Sequence, residues 1–336
     1  MKLESMLREV KVEDAVGMIL PHDFTQILPG QFKGRLFRKG HQIQEEDIPA
    51  LLSIGKEHIY VMELEPGYLH EDEAAQRMAE AIRGSHIMLT EPHEGKVTLK
   101  SAIHGLAKID KAFIDRANAM DQIVMSTITT NRVVTPGHPL VGTRVIPLIV
   151  EEAKVAEIER LANEWAGEGR SILEVKPFRK LRVGMITTGS EVFKGRIQDK
   201  FGPVVKEKLA ALGSEVVDQR LAPDDSATIV REIHSFVEQG VDLILVTGGM
   251  SVDPDDRTPG AIRAAGARVV SYGTPMLPGS MLLVGYLGEV PIMGLPGCVM
   301  HDPYTAFDVL LPRICAGEEI VRDDITEMGY GGLYGC

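Results

Sequence analysis

The chain has only three cysteines, Cys298, Cys315 and Cys336, and they are too few and too widely spaced for a disulfide framework or a zinc site. It has no basic stripe. Asp and Glu outnumber Lys and Arg by 48 to 36, and the formal charge of −12 argues against a nucleic-acid partner or an anionic membrane surface. No apolar run approaches the ~20 residues that cross a bilayer. The opening stretch, MKLESMLREVKVEDAVG, is charged where a secretory leader would be apolar, so the cytoplasm is the expected compartment. The glycine-bearing loops match neither G-x-G-x-x-G nor the P-loop, which disfavours a generic nucleotide-binding protein. What remains is a globular protein with a small ligand. At 336 residues, 44% of them hydrophobic and 25% charged, the chain is long for one core and should hold two or three domains.

The most informative stretch is Asp242 to Gly260, DLILVTGGMSVDPDDRTPG. Leu243-Ile244-Leu245-Val246 reads as a strand buried on both faces of a parallel sheet. Thr247-Gly248-Gly249 then releases the chain into a loop where two residues without a Cβ let backbone N–H groups approach an anion. Ser251 follows, then Asp253, Asp255 and Asp256, before Thr258-Pro259 opens a helix as N-cap and first-turn proline. The three acids repel one another unless a cation screens them, which makes magnesium reasonable beside phosphates.

In chain order, residues 1–68 read as a small α+β unit. It has a helical spacing over Val12–Leu20, a strand or hairpin from Gly34, a short helix started by Glu45-Glu46-Asp47-Ile48-Pro49, and a strand His58–Met62. His22, His41 and His58 are scattered and read as ordinary surface or core histidines. Residues 69–178 form a second α+β unit of unknown role. Its expected elements are helices at 71–83, 102–119 and 151–165 and a β-rich run at 122–130, with Pro136-Gly137 as a turn. Arg132, His138 and Arg144 could face a ligand or simply be solvated, as charged residues usually are.

From Leu181 the pattern alternates strand and helix, which implies a parallel sheet. One strand ends in Thr187-Thr188-Gly189-Ser190-Glu191 and the next is followed by Pro223-Asp224-Asp225. The opening strand ends in the glycine pair, a Pro278-Gly279-Ser280 loop precedes another strand, and the last ends in Gly294-Leu295-Pro296-Gly297 before a helix expected at 301–314. A single glycine turn is weak evidence, but several converging on one sheet edge are a site, because open α/β sheets bind ligands at the carboxyl ends of their strands. Asp224-Asp225 and Asp199 each have a second reading as helix caps. Cys298, just before the expected 301–314 helix, is either a reactive thiol or small buried filler.

TTGSE, GRIQD, PDD, TGGMSVDPDD, MLPGS and GLPG, in this order and at these spacings, resemble the molybdopterin-binding domain of the molybdenum cofactor biosynthesis family. That family includes molybdopterin adenylyltransferases and molybdopterin molybdenumtransferases. The resemblance covers about residues 180–316. VEDAVGMIL and GHQIQEEDIPALLSIGKEHIYV also resemble parts of a molybdenumtransferase. The resemblance implies a three-layer α/β/α domain at 179–318 with a mostly parallel sheet, preceded by the two smaller α+β units and followed by a C-terminal tail at 319–336. By position, Glu191 falls on a functional glutamate, and Asp199, Asp225 and Asp256 on acids of the magnesium and phosphate chemistry. Asp256, Asp253 and Asp225 would be the metal ligands. The implied cradle for pterin and phosphate comprises Thr187, Thr188, Gly189 and Ser190, then Thr247, Gly248, Gly249 and Ser251. Pro278, Gly279, Ser280, Pro296 and Gly297 complete it.

The implied ligands are Mg2+, adenylylated molybdopterin and molybdate. The implied activity is a transferase that inserts molybdate into adenylylated molybdopterin. A homo-oligomer, dimer or trimer, is expected, with a molybdoenzyme or another protein of the cofactor pathway as a possible partner. The alternative is a non-catalytic carrier or sensor of molybdopterin or of the molybdenum cofactor. Three departures favour pterin binding over molybdate insertion. Leu277 and Ser280 stand where the molybdenumtransferases carry lysines, Cys298-Val299 replaces an Asn-Pro, and residues 1–180 lack a Met-Asp-Gly-Tyr motif.

Overall fold

The computed structural model describes residues 7–28, 32–251 and 256–335; Asp253, Asp255 and Cys336 lie outside these. Contacts divide the chain into two compact units, Met1–Ile103 with Ala107–Val175, and His104–Leu106 with Lys176–Cys336. Among the described residues no helix is long and apolar enough to cross a membrane.

In the first unit Leu7–Lys11 pairs antiparallel with His58–Met62, and Val12, Leu20, Phe24, Ile43, Leu51 and Ile59 close a small core. The helix expected over Val12–Leu20 shrinks to a single 3-10 turn, Val12–Asp14. Gly17 takes a positive φ of 85°, and the backbone N–H groups of Gly17, Ile19 and Leu20 donate to Ile43, Met62 and His41 carbonyls instead of to a helix. Tertiary pairing thus overrides a helical spacing.

A four-stranded antiparallel sheet in the order Ile87–Leu89, Lys96–Ser101, Pro139–Val145, Ile123–Thr127 follows, with helices Glu71–Ile82 and Glu152–Gly167. The helix expected over 102–119 divides into a strand, Gly105–Ile109, and a helix, Lys111–Asn118, because Asp110 caps the helix by accepting the Phe113 N–H at 2.9 Å. Glu71 opens its helix almost fully buried, and burial first, then neighbouring Asp72, pushes its carboxyl above the ordinary range.

The second unit holds one six-stranded sheet. Its strands are β1 (Arg182–Thr188), β2 (Glu215–Ala222), β3 (Leu243–Thr247), β4 (Arg268–Tyr272), β5 (Leu283–Leu287) and β6 (Val290–Leu295). They lie in the order β2-β1-β3-β6-β5-β4. The β2/β1, β1/β3 and β3/β6 pairs are parallel, and β6/β5 and β5/β4 antiparallel. The helices are α1 (Ser190–Phe193), α2 (Phe201–Ala211), α3 (Ser226–Glu238), α4 (Thr258–Ala264), α5 (Ala306–Cys315) and α6 (Arg322–Glu327).

Side chains alternate between two cores, as the period of two demands. Val183, Met185, Leu243 and Leu245 join Val205, Leu209, Phe307 and Leu310 from α2 and α5. Ile186, Ile244 and Val246 join Ile229, Ile233, Phe236 and Ile262 from α3 and α4. This is the three-layer α/β/α arrangement with a mostly parallel sheet that the alternation implies.

Two boundaries differ from the sequence expectation. The last long helix starts at Ala306 rather than 301, because Thr305 and Asp308 form a capping box there, and residues 297–300 make a 3-10 turn. The residues after 318, expected as a tail, pack as part of the domain. Ile320 and Ile325 enter its core, and buried Arg313 pairs with Glu318 at 2.8 Å and Asp324 at 2.7 Å.

Two predictions follow from these packings. A Cβ at Gly184 would sit 2.6 Å from the Phe236 ring, so Gly184→Ala should lower the unfolding free energy by about 1–3 kcal/mol in urea titration. For Glu71, a carboxyl whose pKa rises on folding removes stability as pH climbs from 4.5 through the folded value. The melting temperature of Glu71→Gln relative to wild type should therefore move in the variant's favour between pH 4.5 and neutrality.

Candidate functional site

The register aligns the strand ends. Thr187 lies opposite Thr247, Thr247 opposite Leu295, and Gly294 opposite Leu283, so the loops after β1, β3 and β6 and the loop before β5 share one sheet edge. At its centre Gly248 and Gly249 take φ of 87° and 56°. A Cβ on Gly248 would come 2.5 Å from the Thr188 carbonyl, so both space and backbone conformation require glycine there.

Thr258, fully buried at the start of α4, was expected to cap the helix; instead its hydroxyl donates to the Gly248 carbonyl at 2.8 Å and its N–H to that of Gly249 at 3.3 Å. Tyr272 on β4 donates from its phenol to the carbonyls of Met250 (3.0 Å) and Ser251 (3.2 Å). Burial and then Asp256 raise the Tyr272 pKa, which keeps the phenol a donor. With the carbonyls clamped, the N–H groups of Gly249, Met250 and Gly297 meet no hydrogen-bond acceptor among the described residues. Unpaired main-chain donors are rare unless a ligand or solvent meets them.

These groups line a cavity of about 550 Å³. Of the residues singled out from the sequence, Gly248, Gly249, Ser251 and Asp256 line it, as do Pro278, Gly279, Ser280, Pro296 and Gly297. Thr187, Thr188, Gly189, Ser190 and Glu191 occupy the neighbouring strand end and do not line the cavity. Thr187 accepts from Gln219 at 3.1 Å, Thr188 stands 3.5 Å from the Thr258 hydroxyl, and Glu191 is exposed on α1. The Thr247 hydroxyl is buried and has no partner among the described residues.

Asp199 and Asp225 are helix caps. Asp199 accepts the N–H groups of Phe201 (2.9 Å) and Gly202 (3.0 Å) at the start of α2, and Asp225 that of Thr228 (2.8 Å) at the start of α3. Hydrogen bonds from the Thr228 side chain and then from its N–H hold the Asp225 carboxyl below its ordinary range. Asp224 accepts the Ser190 N–H at 2.8 Å, tying the loop after β2 to the one after β1.

Sequence reasoning missed Phe201, Met250, Met281 and Gly335 as lining residues. Phe201 could have been found from Asp199, since a cap two residues ahead fixes where the helix starts. Gly335 arrives through pairing far apart in sequence: the Leu277 N–H donates to Gly332 and the Tyr334 N–H to Leu277, each at 2.9 Å. Cys298 lines the cavity as well, but burial and then Asp302 push its thiol up, and the helix expected to activate it starts only at Ala306. Among the described residues no group of three His, Cys, Asp or Glu side chains is placed to hold a metal.

Comparison with known proteins gives a match of residues 184–316 to a family described as "Probable molybdopterin binding domain". Residues 9–63 match a family described only as a domain of unknown function. The molybdopterin molybdenumtransferase of Synechococcus elongatus is 28% identical over 189 residues, 53% of this chain and 46% of that protein. A CinA-like protein of Mycobacterium tuberculosis is 40% identical over 77 residues, 23% of this chain and 18% of the relative. The chain thus spans less than half the length of either relative. Among solved structures, the molybdopterin biosynthesis enzyme MoaB of Thermus thermophilus aligns with 27% identity and a TM-score of 0.34, over 41% of this chain and 98% of that one. The Mog protein of Mycobacterium ulcerans aligns with 22% identity and a TM-score of 0.35, over 40% and 94%. Through residues 184–316 the chain is similar to the molybdopterin-binding domains of the molybdenum cofactor biosynthesis family.

Proposed function

We propose that the cavity at the sheet edge binds adenylylated molybdopterin and that the protein inserts molybdate into it. The observation that carries this reading is the pair of N–H groups on Gly249 and Met250 that have no acceptor among the described residues and line the cavity together with Asp256. Main-chain donors in a glycine nest suit phosphate oxygens. Phe201, Leu277, Met281 and Leu295 offer apolar surface for a ring system, as small-molecule sites generally do. Thr258 and Tyr272 would hold the nest rigid while the ligand binds. Asp256 is the described carboxylate that lines the cavity, which fits magnesium in its usual mode of one or two carboxylates completed by substrate phosphates and water. When bound, magnesium would polarise those phosphates.

A carrier or sensor is the second reading, and specific positions favour it. Leu277 and Ser280 line the cavity where the resemblance leads one to expect lysines, and Asp199 and Asp225 commit their carboxylates to helix ends. Incubating the protein with adenylylated molybdopterin, magnesium and molybdate separates the two. Molybdate insertion should release AMP, whereas tight binding with no AMP would establish the carrier.

Two variants test the binding reading itself. Asp256→Asn should weaken magnesium-dependent binding about tenfold, or ~1.4 kcal/mol, and leave magnesium-free binding unchanged. Equal affinities with and without magnesium in both proteins would remove Asp256 from the site. Thr258→Val leaves the Gly248 carbonyl without its donor and should cost about 1–3 kcal/mol in urea unfolding. It should also lower pterin affinity in a calorimetric titration, and an unchanged affinity would detach the nest from the ligand.

A further inference from the structure

The first unit contains a second cavity, of about 340 Å³, at the lower end of the size range of small-molecule sites. Part of its wall is already neutralised. Arg35 pairs with Asp23 at 3.1 Å, and Arg38 pairs with Glu94 at 2.6 Å. Three other charges lining it have no such pairing among the described residues. The Glu71 carboxylate receives no hydrogen bond or ion pair, the Lys39 ammonium makes none, and Arg144 makes only a 3.5 Å contact to the Glu94 carbonyl.

Glu71 is 5% exposed, and the space for it is shaped by the backbone. A Cβ on Gly95 would lie 2.5 Å from its Oε2 and one on Gly40 3.1 Å from its Oε1; both glycines are in the left-handed region, with φ of 69° and 82°. A mostly buried carboxylate is costly unless a counter-charge meets it; Arg144 and Lys39 act on Glu71 through space, but neither forms an ion pair with it. Lys39 and Arg144, by contrast, are exposed.

We propose that this cavity binds a small zwitterion, its ammonium group meeting Glu71 and its phosphate or carboxylate group meeting Lys39 and Arg144. A simple anion drawn to Lys39 and Arg144 would compete with Glu71 for their charge, and a simple cation drawn to Glu71 would face both. A molecule carrying both charges answers all three residues. Arg–oxyanion pairing can be bidentate, which adds directionality at the anionic end.

Calorimetric titration of the full chain tests this with O-phosphoethanolamine, L-glutamate and L-serine as probes, which separates a phosphate from a carboxylate source. Ethylamine and inorganic phosphate each carry one of the charges alone. At least one zwitterion should bind, and both single-charge compounds should bind about tenfold more weakly or worse. Glu71→Gln should reduce affinity by about tenfold or more, and so should the surface pair Lys39→Ala/Arg144→Ala, whose exposed positions leave folding intact. The proposal is overturned if no zwitterion binds below about 10 mM, if inorganic phosphate binds as tightly, or if Glu71→Gln leaves affinity unchanged.

Discussion

The site rests on one hydrogen bond, from the buried Thr258 hydroxyl to the Gly248 carbonyl. A loop with two successive glycines at positive φ has many conformations open to it, and nothing in its own sequence selects one. Thr258 selects it from the far end, ten residues on, and the same residue begins α4. The helix and the nest are thus set by a single side chain. Tyr272 adds a second brace from a strand at the other side of the sheet. What is left over, a pair of main-chain donors facing no acceptor among the described residues, is the property that makes the edge able to receive an anion.

The α/β unit was legible because its signals are local and mutually consistent. Apolar runs of strand length, glycine-terminated, alternate with capped helices, and β1 and β3 are buried on both faces as such runs require. The first unit was less legible. Val12–Leu20 has helical spacing but Gly17 breaks it, and Gly17, Ile19 and Leu20 spend their N–H groups on residues 21 to 43 positions away. Residues 102–119 read as one helix because Leu106, Ile109, Phe113 and Ile114 keep an apolar rhythm across Asp110, which in fact ends a strand and starts a helix.

Within the site, residue type identified the loops correctly as neighbours but not the work of each acid. Asp256, Asp199 and Asp225 all follow strand ends and look alike in sequence. Only the positions of the following N–H groups distinguish a carboxylate that faces the cavity from one that closes a helix. Leu277 and Gly335 show the complementary limit, since the segment that carries Gly335 reaches the cavity by pairing across more than fifty residues.

The capping role of Asp199 bears on how an alanine scan of this domain would read. Its carboxylate holds the first N–H groups of α2 and so places Phe201 in the cavity wall. Removing it would shift an apolar contact and depress ligand affinity while leaving the other residues that line the cavity in place. A loss of affinity in that variant therefore does not by itself assign the acid to the ligand, and only a comparison with Phe201→Ala, which moves the same wall without touching an acid, would tell the two apart.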